Sequence, residues 1–399
     1  MMKKLMLATA ACALAAGGAW AEAHGDAVKL GVVFGFTGPI ESLTPAMAAG
    51  AEMAMTEVTE SGLLLGGMGV ESVRADSTCL DAGVAVSAAE RLITSDGIDG
   101  MVGPDCTPVT TAVVYNVAVP NGMVSISPSA TSPALASEDD NGLFFRTAPS
   151  DARQGEVLAE ALVEKGVGSV AVTYTNNDYG KGFADAFQGA FEGLGGTVTL
   201  SAPHEDGKGD YSAEVGALAA AGGEALVVLG YVDEGGAGII RGALDTAAFD
   251  MFGFGDGMVG DALTENFGAD IDGSIGTAPG GESEGADVFQ AMATEAGIDG
   301  TSVYAGESYD AAALILLAMQ AAGSTAPADY VAHIESVANA PGEPILPGEL
   351  AKALQILADG GEIDYVGASA VEMVGTGEAA GSYVEYLIEG GALTVSRYW

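Results

Sequence analysis

Cysteine, histidine and basic residues are all scarce in this chain. Its 399 residues include only 3 cysteines, 3 histidines and 13 lysines and arginines, against 55 aspartates and glutamates. The formal net charge of −42 makes nucleic acid and anionic membrane surfaces poor partners, because both repel an acidic protein. We interpret the acidity as a solvated surface suited to high salt. It does not by itself predict a cationic ligand.

The sequence also lacks the usual signatures of metal, nucleotide and nucleophilic chemistry. His24, His204 and His333 stand in unrelated contexts without an H-E-x-x-H pair, and we expect them on the surface. The glycines of residues 66–69 lack the strand–turn–helix setting of a dinucleotide fingerprint, and no serine lies in a G-x-S-x-G elbow. We therefore expect neither an enzyme nor a bound cofactor or metal.

The first 21 residues have the pattern of a cleavable signal peptide. Lys3 and Lys4 precede a short apolar core, residues 5–16, and the small-x-small triplet at 19–21. This core is shorter than the roughly 20 residues that a membrane span needs. We expect cleavage after Ala21, which makes the mature chain an exported protein. The loss of two lysines then changes the net charge to −44.

Two cysteines are left after the expected cleavage, because Cys12 is removed with the signal peptide. Cys79 and Cys106 would then fold in an oxidising compartment, where an even number of cysteines favours a disulfide. Two unrelated buried thiols are the alternative. A disulfide here would stabilise the fold by about 3–4 kcal/mol through loop entropy.

Strand-like and helix-like segments alternate along most of the chain. The apolar run at 28–34 precedes a helical stripe within 44–61, and similar pairs follow. Such alternation predicts α/β lobes with doubly wound, mostly parallel sheets, whose strand ends would face a common cleft. We expect two lobes joined by a hinge of several crossing segments. The predicted N-terminal lobe has residues 22–148 and 280–380, and the C-terminal lobe has 149–279 and 381–399.

Two hydroxyl-rich turns follow predicted strands in the first half of the chain. The first is Gly103-Pro104-Asp105-Cys106-Thr107, and the second is Ser127-Pro128-Ser129-Ala130-Thr131. Hydroxyls and backbone N–H groups in such turns can hold an anion without a buried cation. Helix N-capping is the alternative role for Thr107 and Thr131.

These turns and the cysteine pair resemble the solute-binding receptors of branched-chain amino-acid ABC transporters, the leucine/isoleucine/valine-binding family. Three further segments carry the resemblance: Phe36-Thr37-Gly38-Pro39, Ser308-Tyr309-Asp310-Ala311 and Asp364-Tyr365-Val366-Gly367-Ala368. It covers nearly all of the mature chain. It implies the two-lobed type I periplasmic binding protein fold. It also implies a monomeric periplasmic receptor that captures an amino acid and delivers it to an inner-membrane permease.

The resemblance further implies ligand residues on both lobes. The positions are Thr107, Ser129, Ala130 and Thr131 for the ligand carboxylate, Tyr231 and Asp256 for its ammonium group, and Tyr179 and Leu43 beside it. Asp256 is otherwise a turn residue between glycines, and the two tyrosines are otherwise surface aromatics. Leu43 departs from the aromatic residue that the family often has there, which puts a strict leucine/isoleucine/valine specificity in doubt. We expect Glu307 on a solvated helix surface, and a position facing the cleft is the alternative.

Other functions stay open on the sequence alone. The same fold serves receptors for an aliphatic amide, urea or an aromatic acid, and such ligands would not need Asp256. A ligand sensor that signals to a membrane kinase is a second alternative. An α/β hydrolase or dehydrogenase is the least favoured one.

Overall fold

Two parallel-stranded sheets flanked by helices form the body of this computed structural model. The structure describes residues 27–137, 139–375 and 377–399. The predicted signal peptide lies outside the described residues.

The strands are numbered in chain order. They are β1 Ala27–Phe34, β2 Gly69–Asp76, β3 Gly100–Val102, β4 Ser125–Ser127, β5 Phe144–Arg146, β6 Ser169–Thr175, β7 Thr197–His204, β8 Ala225–Leu229, β9 Phe252–Phe254, β10 Ile275–Pro279, β11 Glu343–Ile345, β12 Ile363–Tyr365, β13 Glu372–Val374, β14 Glu378–Ala380, β15 Tyr383–Glu389 and β16 Ala392–Tyr398.

The α-helices are numbered in the same way. They are α1 Thr44–Ser61, α2 Ala82–Arg91, α3 Thr107–Val113, α4 Val119–Asn121, α5 Asp151–Glu164, α6 Asp178–Gly193, α7 Ser212–Ala221, α8 Gly235–Asp245, α9 Asp261–Phe267, α10 Glu284–Ala296, α11 Ala305–Ala322, α12 Pro327–Tyr330, α13 Ile334–Ala338 and α14 Leu350–Ala358.

The first sheet has the order β2-β1-β3-β4-β5, and all of its strands are parallel. Its second strand, β1, is apolar almost throughout because both of its faces are covered. The second sheet has the order β16-β15-β10-β9-β8-β6-β7. Its strands β6 to β10 are parallel, whereas β15 and β16 add to one edge in antiparallel fashion. The predicted doubly wound, mostly parallel architecture is confirmed.

The chain passes between the sheets at three places. It leaves the first sheet between β5 and α5, leaves the second after β10, and returns to the second at β15. Each sheet is therefore built from segments that are distant in the sequence. The lobe boundaries given above stay a prediction.

Helix α11 is buried on all of its faces rather than along one stripe. Every residue from Glu307 to Gln320 is buried, because α1, α14 and the first sheet surround the helix. The approach of α1 is close at Gly50, where an added Cβ would lie 2.2 Å from the carbonyl oxygen of Ala305. A glycine at this point lets the two backbones touch.

Cys79 and Cys106 form a disulfide, with their Cα atoms 5.1 Å apart. The predicted pairing is confirmed. The bridge joins the loop after β2 to the residue before α3. It therefore fixes the first hydroxyl-rich turn to its neighbouring strand end.

The expectation of surface histidines is wrong for His204. This residue ends β7 and is 1% exposed, with Nδ1 2.9 Å from the Thr173 hydroxyl. Burial lowers the pKa of His204 to about 4, since the protonated ring loses its hydration. His333 is half-buried, and His24 lies outside the described residues.

In the described part of the chain no single helix is long and apolar enough to cross a bilayer. One bent pair, 305–322 with 327–338, passes by length and composition only.

Candidate ligand-binding site

The carboxyl ends of strands from both sheets meet at one cleft. Thr107 and Ser129 follow β3 and β4 in the first sheet, while Tyr179, Tyr231 and Asp256 follow β6, β8 and β9 in the second. In open parallel sheets this is the edge at which ligands bind. The topology alone therefore brings distant parts of the chain to the same place.

A cavity of about 20 Å³ lies where these side chains meet. Its lining residues are Ile40, Leu43, Asp105, Cys106, Thr107, Ser129, Tyr179, Tyr231, Asp256, Gly257 and Tyr304. Such a volume has room for about one water molecule. The cleft is closed, and an amino acid can enter only after the two sides move apart.

Six of the eight predicted ligand residues line this cavity. They are Leu43, Thr107, Ser129, Tyr179, Tyr231 and Asp256. Ala130 and Thr131 are fully buried but do not line it. The backbone oxygen of Thr131 accepts a hydrogen bond from the Asp151 N–H (2.9 Å), so this residue ties the second turn to the start of α5.

Asp256 is held by two tyrosine hydroxyls. The Tyr179 hydroxyl donates to Oδ1 at 3.1 Å, and the Tyr304 hydroxyl donates to Oδ2. Burial raises the pKa of Asp256, while these two hydrogen bonds act in the opposite direction. Asp256 does begin a short 3-10 turn, 256–258, and it is 3% exposed, so it is a turn residue whose carboxylate is buried.

Tyr179 and Tyr231 stack inside the cleft. Their ring centroids are 5.3 Å apart with an interplanar angle of 21°, and both side chains are buried. The Asn177 side chain donates to the Tyr231 hydroxyl at 3.4 Å. These tyrosines are therefore not surface aromatics, and they present one wall of flat apolar area with polar tips.

Thr107 occupies the first position of α3 rather than its cap. Cys106 is the N-cap residue, and no side chain caps this helix. The Thr107 hydroxyl accepts only a long bond, 3.4 Å, from the Ser132 N–H. The capping alternative is therefore not observed for Thr107, and its hydroxyl can bond a ligand.

Two polar groups of the second hydroxyl-rich turn, residues 127–131, already have hydrogen-bond partners within the protein. The Ser129 hydroxyl donates to the carbonyl oxygen of Asp105 at 3.1 Å, and the Ala130 N–H donates to the Ser127 hydroxyl at 3.0 Å. The Ala130 N–H is thus engaged within the turn. Ser129, which is half-buried, remains the hydroxyl of this turn at the cavity wall.

Asp105 holds the first hydroxyl-rich turn in place through hydrogen bonds of its side chain. It was not predicted as a site residue from the sequence. Its carboxylate accepts bonds from the Gly35 N–H (2.6 Å) and the Ser77 hydroxyl (2.9 Å). Complete burial raises the pKa of Asp105, and these bonds oppose the shift. Asp105 therefore ties the ends of β1 and β2 to the turn that carries Thr107.

Tyr304 is a further site residue that the sequence did not reveal. It precedes α11 with φ +68°, a left-handed conformation that bulky residues rarely adopt. This backbone geometry accompanies the bond from its hydroxyl to Asp256. Unusual backbone conformations of this kind concentrate at functional sites. A tyrosine at a predicted helix start carries no sequence pattern that marks it.

Asp151 adds a second buried acid behind the cavity. Neither of its carboxylate oxygens has a hydrogen-bond partner of good geometry among the described residues. Burial raises the pKa of Asp151 well above its usual range, and the charge of Asp256 raises it further, while the Thr131 hydroxyl and Arg146 oppose the shift. The site therefore holds two neighbouring acids, and this charge favours a cation between or beside them.

Within the described ranges, no group of three or more His, Cys, Asp or Glu side chains is placed to hold a metal ion.

Two α/β halves whose strand ends meet at a closed cleft have the bilobed fold of a solute-binding protein. Residues 27–352 match the family model described as periplasmic binding protein. The chain therefore belongs to the periplasmic binding protein family, and its type I fold is the one that the resemblance implied. Within it, the relatives described next are Leu/Ile/Val-binding protein homologs, which confirms the family predicted from the sequence.

The chain is similar to two Leu/Ile/Val-binding protein homologs of Brucella melitensis. Homolog 3 is 33% identical over 210 residues, which are 52% of this chain and 56% of that protein. Homolog 1 is 29% identical over 335 residues, 82% of this chain and 86% of that protein. The alignment with homolog 3 thus spans little more than half of its length.

Two solved structures share the fold. The leucine-binding protein LivK of Thermotoga maritima has a TM-score of 0.77 at 21% identity, covering 93% of this chain and 98% of that one. A solute-binding protein of R. palustris in complex with benzoate has a TM-score of 0.73 at 16% identity, covering 93% and 96%. At these identities the likeness concerns the fold alone.

Proposed function

We propose that this protein is the periplasmic receptor of an ABC importer, binding a neutral or branched-chain amino acid or a close analogue. One observation carries the proposal. Hydroxyl-bearing turns of the first sheet meet Asp256, an acid at a strand end of the second sheet that two tyrosine hydroxyls hold, at one interlobe cavity. An α-amino acid has the matching pair of charges, a carboxylate and an ammonium group.

The two sides of the cleft have different roles in this proposal. Thr107 and Ser129 bond the ligand carboxylate, and the Ala130 and Thr131 backbone supports their turn. Asp256 accepts the ammonium group, because a buried acid without a cation gains most from one. The names of the Brucella relatives, which refer to leucine, isoleucine and valine, support a neutral side chain.

Tyr179, Tyr231 and Leu43 form the remaining walls. The stacked tyrosines offer a flat surface with hydroxyl tips, and Leu43 is buried against the side of the cavity. A leucine occupies less width than an aromatic residue would. We therefore expect a side-chain range broader than leucine, isoleucine and valine.

The wider role follows the family. The protein would be exported by the signal peptide at 1–21 and act as a monomer, without catalysis. The lobes, divided near residues 148, 279 and 380, would close on the ligand and present it to an inner-membrane permease. Their crossing segments would form the hinge.

Calorimetric titration with three matched ligands tests the site. Leucine carries both charges, 4-methylpentanoate lacks the ammonium group, and 3-methylbutylamine lacks the carboxylate. We expect leucine to bind and both analogues to fail. In Asp256→Asn the loss of one partner of a buried charge pair should weaken leucine about 30- to 1,000-fold, or about 2–4 kcal/mol.

The control is Asp185→Asn, which removes the same charge from an exposed residue of α6. It should leave leucine binding unchanged. Unaltered leucine affinity in Asp256→Asn would show that the ammonium assignment is wrong, even if the fold and the receptor role stand.

A receptor for an aromatic acid is the second candidate. The stacked pair of Tyr179 and Tyr231 suits a flat ligand, and a structure with the same fold holds benzoate. Benzoate has no ammonium group, so its binding should be insensitive to Asp256→Asn. Binding of benzoate without any binding of leucine would favour this candidate.

A further inference from the structure

A second and much larger cavity lies beside the closed cleft. Its volume is about 860 Å³, and it shares only Leu43 and Tyr304 with the small cavity described above. Its walls come from the start of α1, from α9 and α10, from the loop before α11, and from β15 and β16. Volumes of about 300–1,000 Å³ are typical of small-molecule sites.

Glu307 lines this cavity and is 6% exposed. Its carboxylate makes no hydrogen bond or ion pair with any other residue in the described ranges. Its backbone oxygen is fixed, since it accepts a bond from the Thr147 hydroxyl at 2.8 Å. The expectation of a solvated helix surface is therefore wrong, because Glu307 is buried beside this cavity.

The charged residues that line this cavity are all acidic. No lysine, arginine or histidine is found among the described residues that line the cavity, whereas Asp261, Glu265 and Asp299 do line it. The charge of Asp310, on the same helix, raises the pKa of Glu307, and Glu307 in turn raises the pKa of Tyr386 in β15. Burial, followed by the charge of Asp310, raises the pKa of Glu307 to about 8. An anion has no partner here, while a cation does.

Part of the remaining wall is apolar. Phe289 of α10, Val384 and Tyr386 of β15 and Leu393 of β16 contribute carbon surface around the acid. A ligand that fills this space needs an apolar body in addition to its charge. Amino acids with short side chains do not meet that need.

We propose that this cavity is a second ligand site, which takes an organic ammonium ion with an apolar body and pairs its cation with Glu307. The site is separate from the amino-acid cleft and does not depend on the function proposed for that cleft. Because Glu307 must ionise to pair with the cation, ligand binding below about pH 8 should release a proton.

The probes are phenethylammonium, the neutral 2-phenylethanol and the anionic phenylacetate, titrated into the mature protein by calorimetry. We expect only phenethylammonium to bind. In buffers of different ionisation enthalpy at pH 7, its binding should release nearly one proton. Its affinity should rise about tenfold from pH 6 to pH 7 and level off above about pH 8.

Three variants show whether Glu307 itself recognises the probe. Glu307→Gln should weaken phenethylammonium at least tenfold and abolish the proton release. Glu60→Gln, which removes an exposed acid outside the cavity, should change neither. Asp256→Asn should also leave the probe affinity unchanged, because that acid lines the small cavity.

Several results would overturn the proposal. Equal binding of 2-phenylethanol would show that no charge is recognised. Full affinity in Glu307→Gln, loss of affinity in Asp256→Asn alone, or no binding of any probe would each refute it. Because glutamine has the size of glutamate and a neutral head group, a folded variant is expected, and its melting curve verifies this.

Discussion

Replacing Glu307 by glutamine should change how the stability of the empty protein depends on pH. In the unfolded chain Glu307 ionises at its ordinary pKa of 4.5, but in the folded protein burial delays ionisation to about pH 8. The folded state thus holds a proton that the unfolded state has lost. Below about pH 4.5 Glu307 does not lower the free energy of unfolding, and this free energy declines as the pH rises from there towards 8.

The magnitude follows from the size of the pKa shift. One pKa unit corresponds to 1.36 kcal/mol, so the wild type should lose about 1.4 kcal/mol per pH unit across this window. The full loss is about 5 kcal/mol, of which about 3 kcal/mol is reached at pH 7. Glutamine cannot ionise, so the free energy of unfolding of Glu307→Gln does not show this decline with pH. Asp151 and Asp256 are present in both proteins, and their effects cancel in the difference.

Urea unfolding at pH 5, 6, 7, 8 and 9, at constant salt, measures this difference. We expect the free energy of unfolding of Glu307→Gln, minus that of the wild type, to increase from pH 5 to pH 8 and then level off. Glu60→Gln is the control and should give a flat difference, because its side chain is exposed. A difference that does not change with pH for Glu307→Gln would refute the reasoning.

Three further predictions concern the fold. Gly50→Ala should lower the free energy of unfolding in urea by about 1–3 kcal/mol, since its Cβ would lie 2.2 Å from an α11 carbonyl oxygen. Gly189→Ala, at a helix position with open space, should raise it by about 0.5–1 kcal/mol. Equal effects of the two substitutions would contradict the close approach. Serine at both Cys79 and Cys106 should lower stability by about 3.5 kcal/mol, and an unchanged urea midpoint would argue against this. His204 should destabilise the protein as the pH falls from 6.5 towards 4, by up to about 3.4 kcal/mol, and His204→Gln should lose that dependence in acid titrations followed by fluorescence.

Local patterns predicted the strand ends near which the site residues lie, whereas the ligand roles of these residues came from the resemblance alone and stay a prediction. Thr107, Ser129 and Asp256 each lie just beyond an apolar run, and parallel sheets gather such positions at one edge. The disulfide was predictable for a similar reason, since two cysteines remained once the signal peptide was set aside. The positions of the turns followed from the order of elements along the chain, and the disulfide followed from the expected export, but the choice of ligand residues needed the resemblance.

Burial of individual polar residues was not predictable in the same way. Glu307 has the sequence context of an exposed helix residue, but it is 6% exposed and lines a cavity to which segments distant in the sequence contribute. His204 lies beneath Gly230 and Gly235, where an added Cβ would be 2.9 and 2.8 Å from its ring. Both outcomes depend on contacts between distant segments, and periodicity carries no information about these.

The closed cleft has a charge that its own residues do not balance. Asp256 is bonded by neutral tyrosine hydroxyls, and the Asp151 carboxylate has no hydrogen-bond partner of good geometry in the described part of the chain. The nearby cation Arg146 is already paired with Glu378. Closing the lobes without a ligand therefore buries acids that must either stay protonated or remain uncompensated, and both are costly near neutral pH.

An ammonium group at Asp256 would supply the missing positive charge, so closure would become favourable when the ligand is present. A ligand shifts an equilibrium between open and closed forms only by its difference in affinity for the two. In the proposed receptor that difference would come mainly from this buried charge. The same acid would then provide both the recognition of the amino acid and the driving force for closure.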